Sequence, residues 1–361
     1  MRQRDGTLLS WPFVAWLALP LLMLVAEAKA EVSLIFLPTR TGYDLSQVHQ
    51  GQVTNLLHLG SPMIYGATQN RIAVLSTATS GNRLILLNAK THAVERTNMI
   101  SGHFRSPLSG VQRQLVFSAD EQQCFFLSFE TPTSKNTLNT VQLQTGTVEK
   151  TPLPDRLGSP LIFQLPQLVG VFNESDESVM AYDLVKKSAR LLVPGFPSER
   201  RNALPGRLPA GYVAPVPLFV PNYGLVRISR TGEASRLLSE KLQPVSDKVR
   251  KVPQEVVAPR LIRWSGQFCV LYGLAASETG ICDTVVALDP GDWKELWRVR
   301  PGFSFKSFAA NSNATQVSFV RLDDASLTLY DIQQKEAVAS TKIPSEWIED
   351  AHLIDLNSAS N

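Results

Sequence analysis

The chain has 361 residues, of which 44% are hydrophobic and 19% are charged, a composition typical of a folded protein and unlike that of a disordered one. It carries 35 Lys and Arg against 32 Asp and Glu, a formal net charge of +3, so it lacks the basic excess that nucleic-acid-binding domains concentrate. The length is compatible with two ordinary domains or with one closed all-β fold.

The amino terminus has the layout of a secretory signal peptide. Arg2 and Arg4 make the start positive, residues 11–26 carry no charge, and small residues occupy the positions read by signal peptidase, ending at Ala30. The uncharged run has 16 residues, fewer than the roughly 20 that span a bilayer. These features favour cleavage after Ala30, and an uncleaved membrane anchor is the alternative.

We therefore predict a signal peptide over residues 1–30 and a mature domain over residues 31–361. The mature protein would have no membrane span. It would be secreted or otherwise extracytoplasmic, in the periplasm of a bacterium or the secretory pathway of a eukaryote.

The mature chain is predicted to be all-β. Short runs rich in Val, Leu, Ile and Phe alternate with Gly, Pro, Asn, Asp and Ser, as is typical of strands bounded by turns. The best helical candidate, residues 345–352, is brief. The predicted strands include residues 32–37, 55–59, 72–76, 83–87, 114–117, 124–129, 168–172, 178–182, 224–228, 316–320 and 326–330.

Two short pieces recur along the chain. In the first, a strand ends in an acidic or amide residue, a polar turn follows, and a second strand begins; the side chain is expected to hydrogen-bond the turn backbone. This piece occurs at residues 87–94, 143–148, 182–190, 228–235, 288–296 and 330–338. The second piece, a polar turn that enters an apolar strand, occurs at residues 117–127, 172–180 and 308–319.

These pieces resemble the repeats of the YVTN and quinoprotein-like β-propellers, in which a turn of the FSPDG kind leads to a strand that ends D-x-x-T-G-x-x. The resemblance covers most of residues 64–340 and implies architecture only. The first piece recurs about every 49 residues, as expected for a four-stranded blade. We predict a single propeller, with seven blades favoured over six or eight and with strands from both termini closing the ring.

The three cysteines do not form a disulfide framework, because three is too few for a chain of this length. Cys269 and Cys282 lie in two apolar runs around a polar loop. If the hairpin centre lies near residues 275 and 276, the two sulfur atoms face each other and a cross-strand disulfide is feasible. Two buried thiols are the alternative. Cys124, inside an apolar strand pattern, is predicted to be a core thiol.

No catalytic, metal or cofactor signature appears in the sequence. The five histidines do not recur at one position of the repeat, and the serine-hydrolase, zinc-protease, P-loop and haem-attachment motifs are missing. We therefore assign no catalytic residue and expect no metal and no cofactor.

Two segments are predicted to be long loops, at residues 194–209 and 241–259. Their basic clusters could contact an anionic partner, or could simply keep the loops solvated. The basic residues are Arg200, Arg201, Arg207, Lys248, Arg250 and Lys251. Asn173 and Asn313 begin N-glycosylation sequons and fall in predicted turns.

The sequence thus favours a propeller that binds a protein or glycan partner through its loop face. The alternative is a propeller enzyme or cofactor-bearing subunit of the lactonase, lyase or quinoprotein dehydrogenase type, which the resemblance implies as an analogy of fold. Polar residues converging on the central channel would favour the alternative, whereas an apolar or filled channel together with an exposed patch would favour the binding role.

Overall fold

The computed structural model describes residues 32–61, 63–78, 81–100, 103–104, 111–130, 135–153, 160–173, 176, 178–195, 217–228, 233–251, 256–276, 281–311, 315–343 and 348–356. The chain divides after Val32, and the strands described below all belong to residues 33–361. The predicted signal segment lies outside the described residues.

Strands from both ends of the described chain share one sheet, sheet A. Strands β1 (Ser33–Pro38), β2 (Gly42–His49) and β3 (Gln52–Gly60) form an antiparallel meander, and β30 (His352–Leu353) pairs with the other edge of β1. The register joins Phe36 to His352. The prediction that terminal strands close the ring is therefore confirmed.

The next sheets along the chain are again mainly antiparallel meanders. Sheet B contains β4 (Met63–Ala67), β5 (Arg71–Ala78), β6 (Gly81–Asn88) and β7 (Val94–Ile100), with β9 (Val111–Arg113) added parallel to β4; sheet C contains β8 (His103–Phe104), β10 (Val116–Phe117), β11 (Gln123–Glu130), β12 (Lys135–Gln142) and β13 (Val148–Pro152). Sheet D contains β14 (Pro160–Leu165), β15 (Leu168–Asn173), β16 (Ser178–Asp183) and β17 (Ser188–Val193); sheet E contains β18 (Leu218–Val220), β19 (Gly224–Ile228), β20 (Glu233–Ser239) and β21 (Pro244–Lys251).

Sheet F joins two meanders through the residue pair Cys282–Phe305. Its strands are β22 (Val256–Trp264), β23 (Gln267–Ala275), β24 (Cys282–Leu288), β25 (Glu295–Val299), β26 (Phe305–Ala310), β27 (Gln316–Arg321), β28 (Ser326–Asp331) and β29 (Glu336–Lys342). The all-β fold built from four-stranded antiparallel units is as predicted. The number of blades, seven, stays a prediction.

Four of the six predicted polar turns form as the repeat predicts. Asn88 Oδ1 accepts hydrogen bonds from the backbone N–H groups of Lys90 and Thr91, at 2.9 and 3.0 Å. Such a bond fixes a tight turn and thereby the register of the strands on either side. The same kind of acceptor recurs at Asp183, Asp289 and Asp331.

Buried apolar clusters pack consecutive sheets against one another. Sheets A and B share one cluster, and further clusters join B to C, C to D, D to E and E to F. A cluster also joins sheet A to the second meander of sheet F, where Ile35 packs with Val320 and Leu353. The packing therefore returns to its starting sheet, as in a closed ring.

Two local predictions are wrong. In the candidate helix 345–352, the described residues 348–352 form no α-helix but a short 3₁₀ turn, Ile348–Asp350, followed by the start of β30. The segment predicted as a loop over 241–259 contains β21 and the start of β22. No helix in the described part of the chain has the length and hydropathy of a membrane span.

Candidate functional site

One of the two basic clusters predicted from the sequence lies among the described residues. Arg200, Arg201 and Arg207 lie outside the described residues. Lys248, Arg250 and Lys251 belong to β21, the outermost strand of sheet E. The loop assignment of this second cluster is corrected, because its backbone pairs with β20. Its role toward an anionic partner stays a prediction.

The asparagine of the first glycosylation sequon is buried. Asn173 ends β15, is buried, and its amide Nδ2 donates to Asp176 Oδ1 at 2.8 Å. A glycan would have to replace this buried donor, so the prediction at Asn173 does not agree with the fold. Asn313 lies outside the described residues.

The predicted disulfide is wrong. The hairpin pairs Cys282 with Ala275 rather than with Cys269, and Ala276 N–H donates to Ile281 O at the turn. The two cysteines are thus offset by six residues along β23, about 20 Å at the strand rise, far beyond the reach of a disulfide. Both are buried thiols, as is Cys124, whose pKa burial raises to about 12.

The structure instead assembles a polar group on the inner strands, which we call the inner cluster: Tyr65, Arg113, Arg260, His352 and Asp355. Strands β4, β22 and β30 each lie at the end of a meander. Strand β9 pairs with β4 and places Arg113 directly beside Tyr65. Elements that are distant in the sequence therefore converge at this point.

A tyrosine and a histidine form one half of the inner cluster. Tyr65 Oη lies 2.8 Å from His352 Nε2, and the two rings meet edge to face with centroids 5.4 Å apart. Phe36 packs on the other side of Tyr65 at 5.3 Å. The pair also connects β4 to the closing strand β30.

Two arginines and an aspartate form the other half. Arg260 Nη1 donates to Asp355 Oδ2 at 3.3 Å, and its guanidinium lies 4.2 Å from the centroid of the Phe308 ring. Arg113 Nη2 donates to the carbonyl oxygen of Ala67 at 3.0 Å. Asp355 is buried, whereas Arg260 keeps 14% of its side chain exposed.

A backbone irregularity positions Arg260. Strand β22 shifts register against β23 between Val257 and Arg260, and Ala258 has φ near +49°. Pro259, which has no N–H group, follows at the same place. Bulges of this kind re-aim the side chain that follows them, and a non-glycine residue with positive φ is strained.

The surroundings fix the charge of each group. Burial, followed by the charges of Arg260 and Arg113, lowers the pKa of His352 to about 3, so the imidazole is neutral at physiological pH. Burial raises the pKa of Tyr65, which stays protonated. Burial lowers the pKa of Arg113, although guanidinium groups remain charged in proteins. The inner cluster therefore combines two guanidinium groups, one carboxyl group, a neutral imidazole and a protonated phenol.

A second polar group, the surface trio, lies on sheet A. Thr41 Oγ1 is 3.2 Å from His58 Nε2, and His58 Nδ1 is 2.7 Å from Asp44 Oδ1. Asp44 and His58 are direct cross-strand partners, which fixes this geometry. The order hydroxyl, imidazole, carboxylate is that of an activated nucleophile. The site is open, however, since 52% of the His58 side chain is exposed.

Metal binding has no support in the part of the chain that the structure describes. There, no three His, Cys, Asp or Glu side chains are grouped so that they could hold an ion. The sequence did not reveal the inner cluster, because its five members are isolated polar residues in four separate segments. A local signal is the charged residue Arg260 directly after Ala258-Pro259, within a mainly apolar strand.

The comparisons with known proteins identify a fold and no family. No family model and no curated protein matches the chain. The β-propeller domain of Cps50 (Swd1) from Myceliophteria thermophila is 12% identical, with 80% of this chain and 89% of that chain covered and a TM-score of 0.53. The fold is a β-propeller.

Two further structures agree. A functionally unknown protein from Desulfotomaculum acetoxidans is 11% identical, with coverages of 85% and 95% and a TM-score of 0.54. The dihydro-heme d1 dehydrogenase NirN, solved in complex with DHE, is 12% identical with a TM-score of 0.50, and the match spans 87% of this chain and 64% of that one. At these identities the likeness concerns the fold alone, and the YVTN and quinoprotein-like assignment stays a prediction.

Proposed function

We propose that this protein is an extracytoplasmic propeller that binds a protein partner. The observation that supports the proposal is an exposed apolar and basic hairpin on the outer strands of sheet D, residues 184–191, which we call the rim hairpin. It contains Val185, 91% exposed, and Leu191, 58% exposed. A partner that covers Val185 and Leu191 would remove this apolar surface from water.

Hydrogen bonds order the backbone of the turn in the rim hairpin. Asp183 Oδ1 accepts hydrogen bonds from the N–H groups of Val185 and Lys186, both at 3.0 Å. Because the turn is already ordered, a partner that covers Val185 would not have to order it on binding. Leu191 lies on β17, the outermost strand of the same sheet.

The charges around these side chains favour an acidic partner. Lys186 and Arg190 are exposed on the same hairpin, while Lys187 is paired with Glu149 of the adjacent sheet C. Exposed cations beside an apolar anchor suit a segment that carries both apolar and acidic residues. A glycan would use hydroxyl groups and would gain little from this surface.

Native mass spectrometry of the protein purified from its own source tests the proposal. We expect a bound protein at fixed stoichiometry, which the double substitution Val185→Ser and Leu191→Ser removes. Val338→Ser is the matched control, because Val338 is also exposed on an outer strand but belongs to sheet F. The proposal would be contradicted by a native spectrum that shows only the unbound chain or a carbohydrate ligand. It would also be contradicted if the double variant retained the partner. The denatured mass tests cleavage after Ala30.

A second candidate function is ester hydrolysis at the surface trio, favoured by its nucleophile geometry. Thr41 Oγ would add to the ester carbonyl as its proton passes to His58 Nε2, with Asp44 accepting from Nδ1–H. The alcohol would leave with that proton, and water would then cleave the acyl-threonine ester. The assay is turnover of p-nitrophenyl acetate. Loss of turnover in both Thr41→Ala and His58→Gln would establish ester hydrolysis at the surface trio, provided that the exposed control Thr54→Ala keeps it. Equal rates in all four proteins would exclude it.

A further inference from the structure

Four side chains form a row across sheet B, from its inner strand to its outer strand. Each is the direct cross-strand partner of the next: Met63 on β4, Ser76 on β5, Arg83 on β6 and Met99 on β7. Directly opposed residues of an antiparallel pair point to the same face of the sheet, with Cβ atoms about 4.5–5.5 Å apart. Arg83 therefore lies between a buried hydroxyl group and the side chain of Met99.

Exposure to solvent rises along this row. Met63 and Ser76 are both 0% exposed, whereas Met99 is 55% exposed. Gly81 leaves the Met99 methyl group uncovered, because a Cβ on Gly81 would lie 3.5 Å from Met99 Cε. The third methionine in the described part of the chain, Met180, is only partly exposed. Met99 is thus the described methionine whose thioether group solutes reach most easily.

Arg83 has a donor that is not used. Its Nε is buried and has no hydrogen-bond partner among the described residues, although the side chain as a whole is partly exposed. On the other side of Arg83, Ser76 Oγ is also buried without a partner in the described part of the chain. A buried N–H group without an acceptor is unfavourable, so an oxygen atom placed beside Arg83 would gain a charge-assisted hydrogen bond.

We propose that Met99 is a site of reversible oxidation by hydrogen peroxide and that Arg83 binds the added oxygen. The Met99 sulfur attacks one peroxide oxygen, the S–O bond forms as the O–O bond breaks, and the other oxygen leaves as water after proton transfer. Sulfur loses two electrons and the peroxide gains them. The sulfoxide oxygen then accepts a hydrogen bond from Arg83 Nε–H.

This modification turns an exposed apolar side chain into a polar one that is tied to β6. Because the oxygen is added to a sulfur atom that already lies at the surface, the site needs no preformed cavity. Two thiol groups of a reductase would reverse the step, forming a disulfide and water. The site lies on sheet B and does not depend on the rim hairpin of sheet D.

Treatment of the full chain with hydrogen peroxide, followed by peptide mapping in a mass spectrometer, tests the site. We expect Met99 to gain one oxygen atom about tenfold faster than Met63, because oxidation follows exposure. In urea the two methionines should react at similar rates, which would show that the fold causes the difference. Similar rates in the folded chain would overturn the proposal.

Urea unfolding of the oxidised chain tests the role of Arg83. Oxidation should leave the midpoint of the natural chain unchanged or raise it, and should lower that of Arg83→Leu by about 0.5 M, as expected for the loss of one charge-assisted hydrogen bond. Arg96→Leu is the matched control, because Arg96 lies on β7 but pairs with Leu86. Adding Met99→Leu to Arg83→Leu should abolish the shift.

The same shift on oxidation in all three chains would overturn the role of Arg83. If Arg83→Leu does not fold, nuclear magnetic resonance of the natural chain decides. Exchange of the Arg83 Nε–H proton with solvent should slow when Met99 is oxidised, and an unchanged exchange rate would overturn the proposed hydrogen bond.

Discussion

Closure of the ring by β30 predicts a large cost for a single truncation, Leu353→Ala. Leu353 is 1% exposed and packs with Ile35 of β1 and with Val320 and Leu327 of sheet F. The substitution removes three carbon atoms, worth about 2.4 kcal/mol at about 0.8 kcal/mol each, and leaves a cavity that raises the expected loss to about 3 kcal/mol.

Urea unfolding followed by tryptophan fluorescence measures this loss. The matched control is Val338→Ala, where a 43% exposed aliphatic side chain on an outer strand is shortened and the change should stay within about 0.5 kcal/mol. Native-state hydrogen exchange should speed up in β1 and β26–β28, around the cavity, and hardly at all in sheet D. Equal losses of unfolding free energy in the two variants would refute the view that this short strand closes the ring. So would hydrogen exchange that is accelerated equally in all sheets.

Three further predictions concern packing, pH and thiol chemistry. In Gly170→Ala, the new Cβ would lie 2.3 Å from the Phe163 ring, so we expect a loss of about 1–3 kcal/mol in the free energy of unfolding, and a neutral result would contradict the packing described. The pKa of His352 is about 3 in the folded protein and 6.5 in the unfolded chain, so the unfolded chain binds more protons between these two pH values. The free energy of unfolding should therefore fall as the pH drops from 6.5 toward 3, and His352→Gln should reduce the slope of this dependence by up to about one proton. An unchanged slope would refute the burial of the imidazole. Finally, burial raises the pKa values of Cys124 and Cys269 to about 12, so both thiols should resist iodoacetamide at pH 8 in the folded protein. All three cysteines should react in urea. A chain mass two hydrogen atoms below the expected value after denaturation without reductant would instead reveal a disulfide.

The local features of the fold were predictable from the sequence. The strands around Ile72, Leu127 and Leu329 follow from apolar runs bounded by turn residues, and the turn at Asp331 follows from a carboxylate placed to accept two backbone N–H groups. Closure by terminal strands was also predictable, because an open ring would leave an unpaired edge.

Features that depend on register or on three-dimensional convergence were not predictable. The disulfide prediction placed the centre of the Cys269–Cys282 hairpin near residue 275, but the turn lies after Ala276 and a bulge follows Leu274. A shift of three residues in the turn centre moves cross-strand partners by six. Likewise, Tyr65 and Arg260 have no sequence relation, and only the assembly of inner strands makes them neighbours of Asp355.

The pairing of β1 with β30 has a consequence for biosynthesis. Ile35 pairs with Leu353, which the ribosome adds 318 residues later. At about 5–20 residues per second, this delays the pairing by about 15 to 60 s. Throughout that time the inner edge of β1 has no partner, and it is the kind of edge to which other nascent chains can add. If the chain is exported, as the sequence predicts, a holding chaperone that covers this strand until translation ends would protect it.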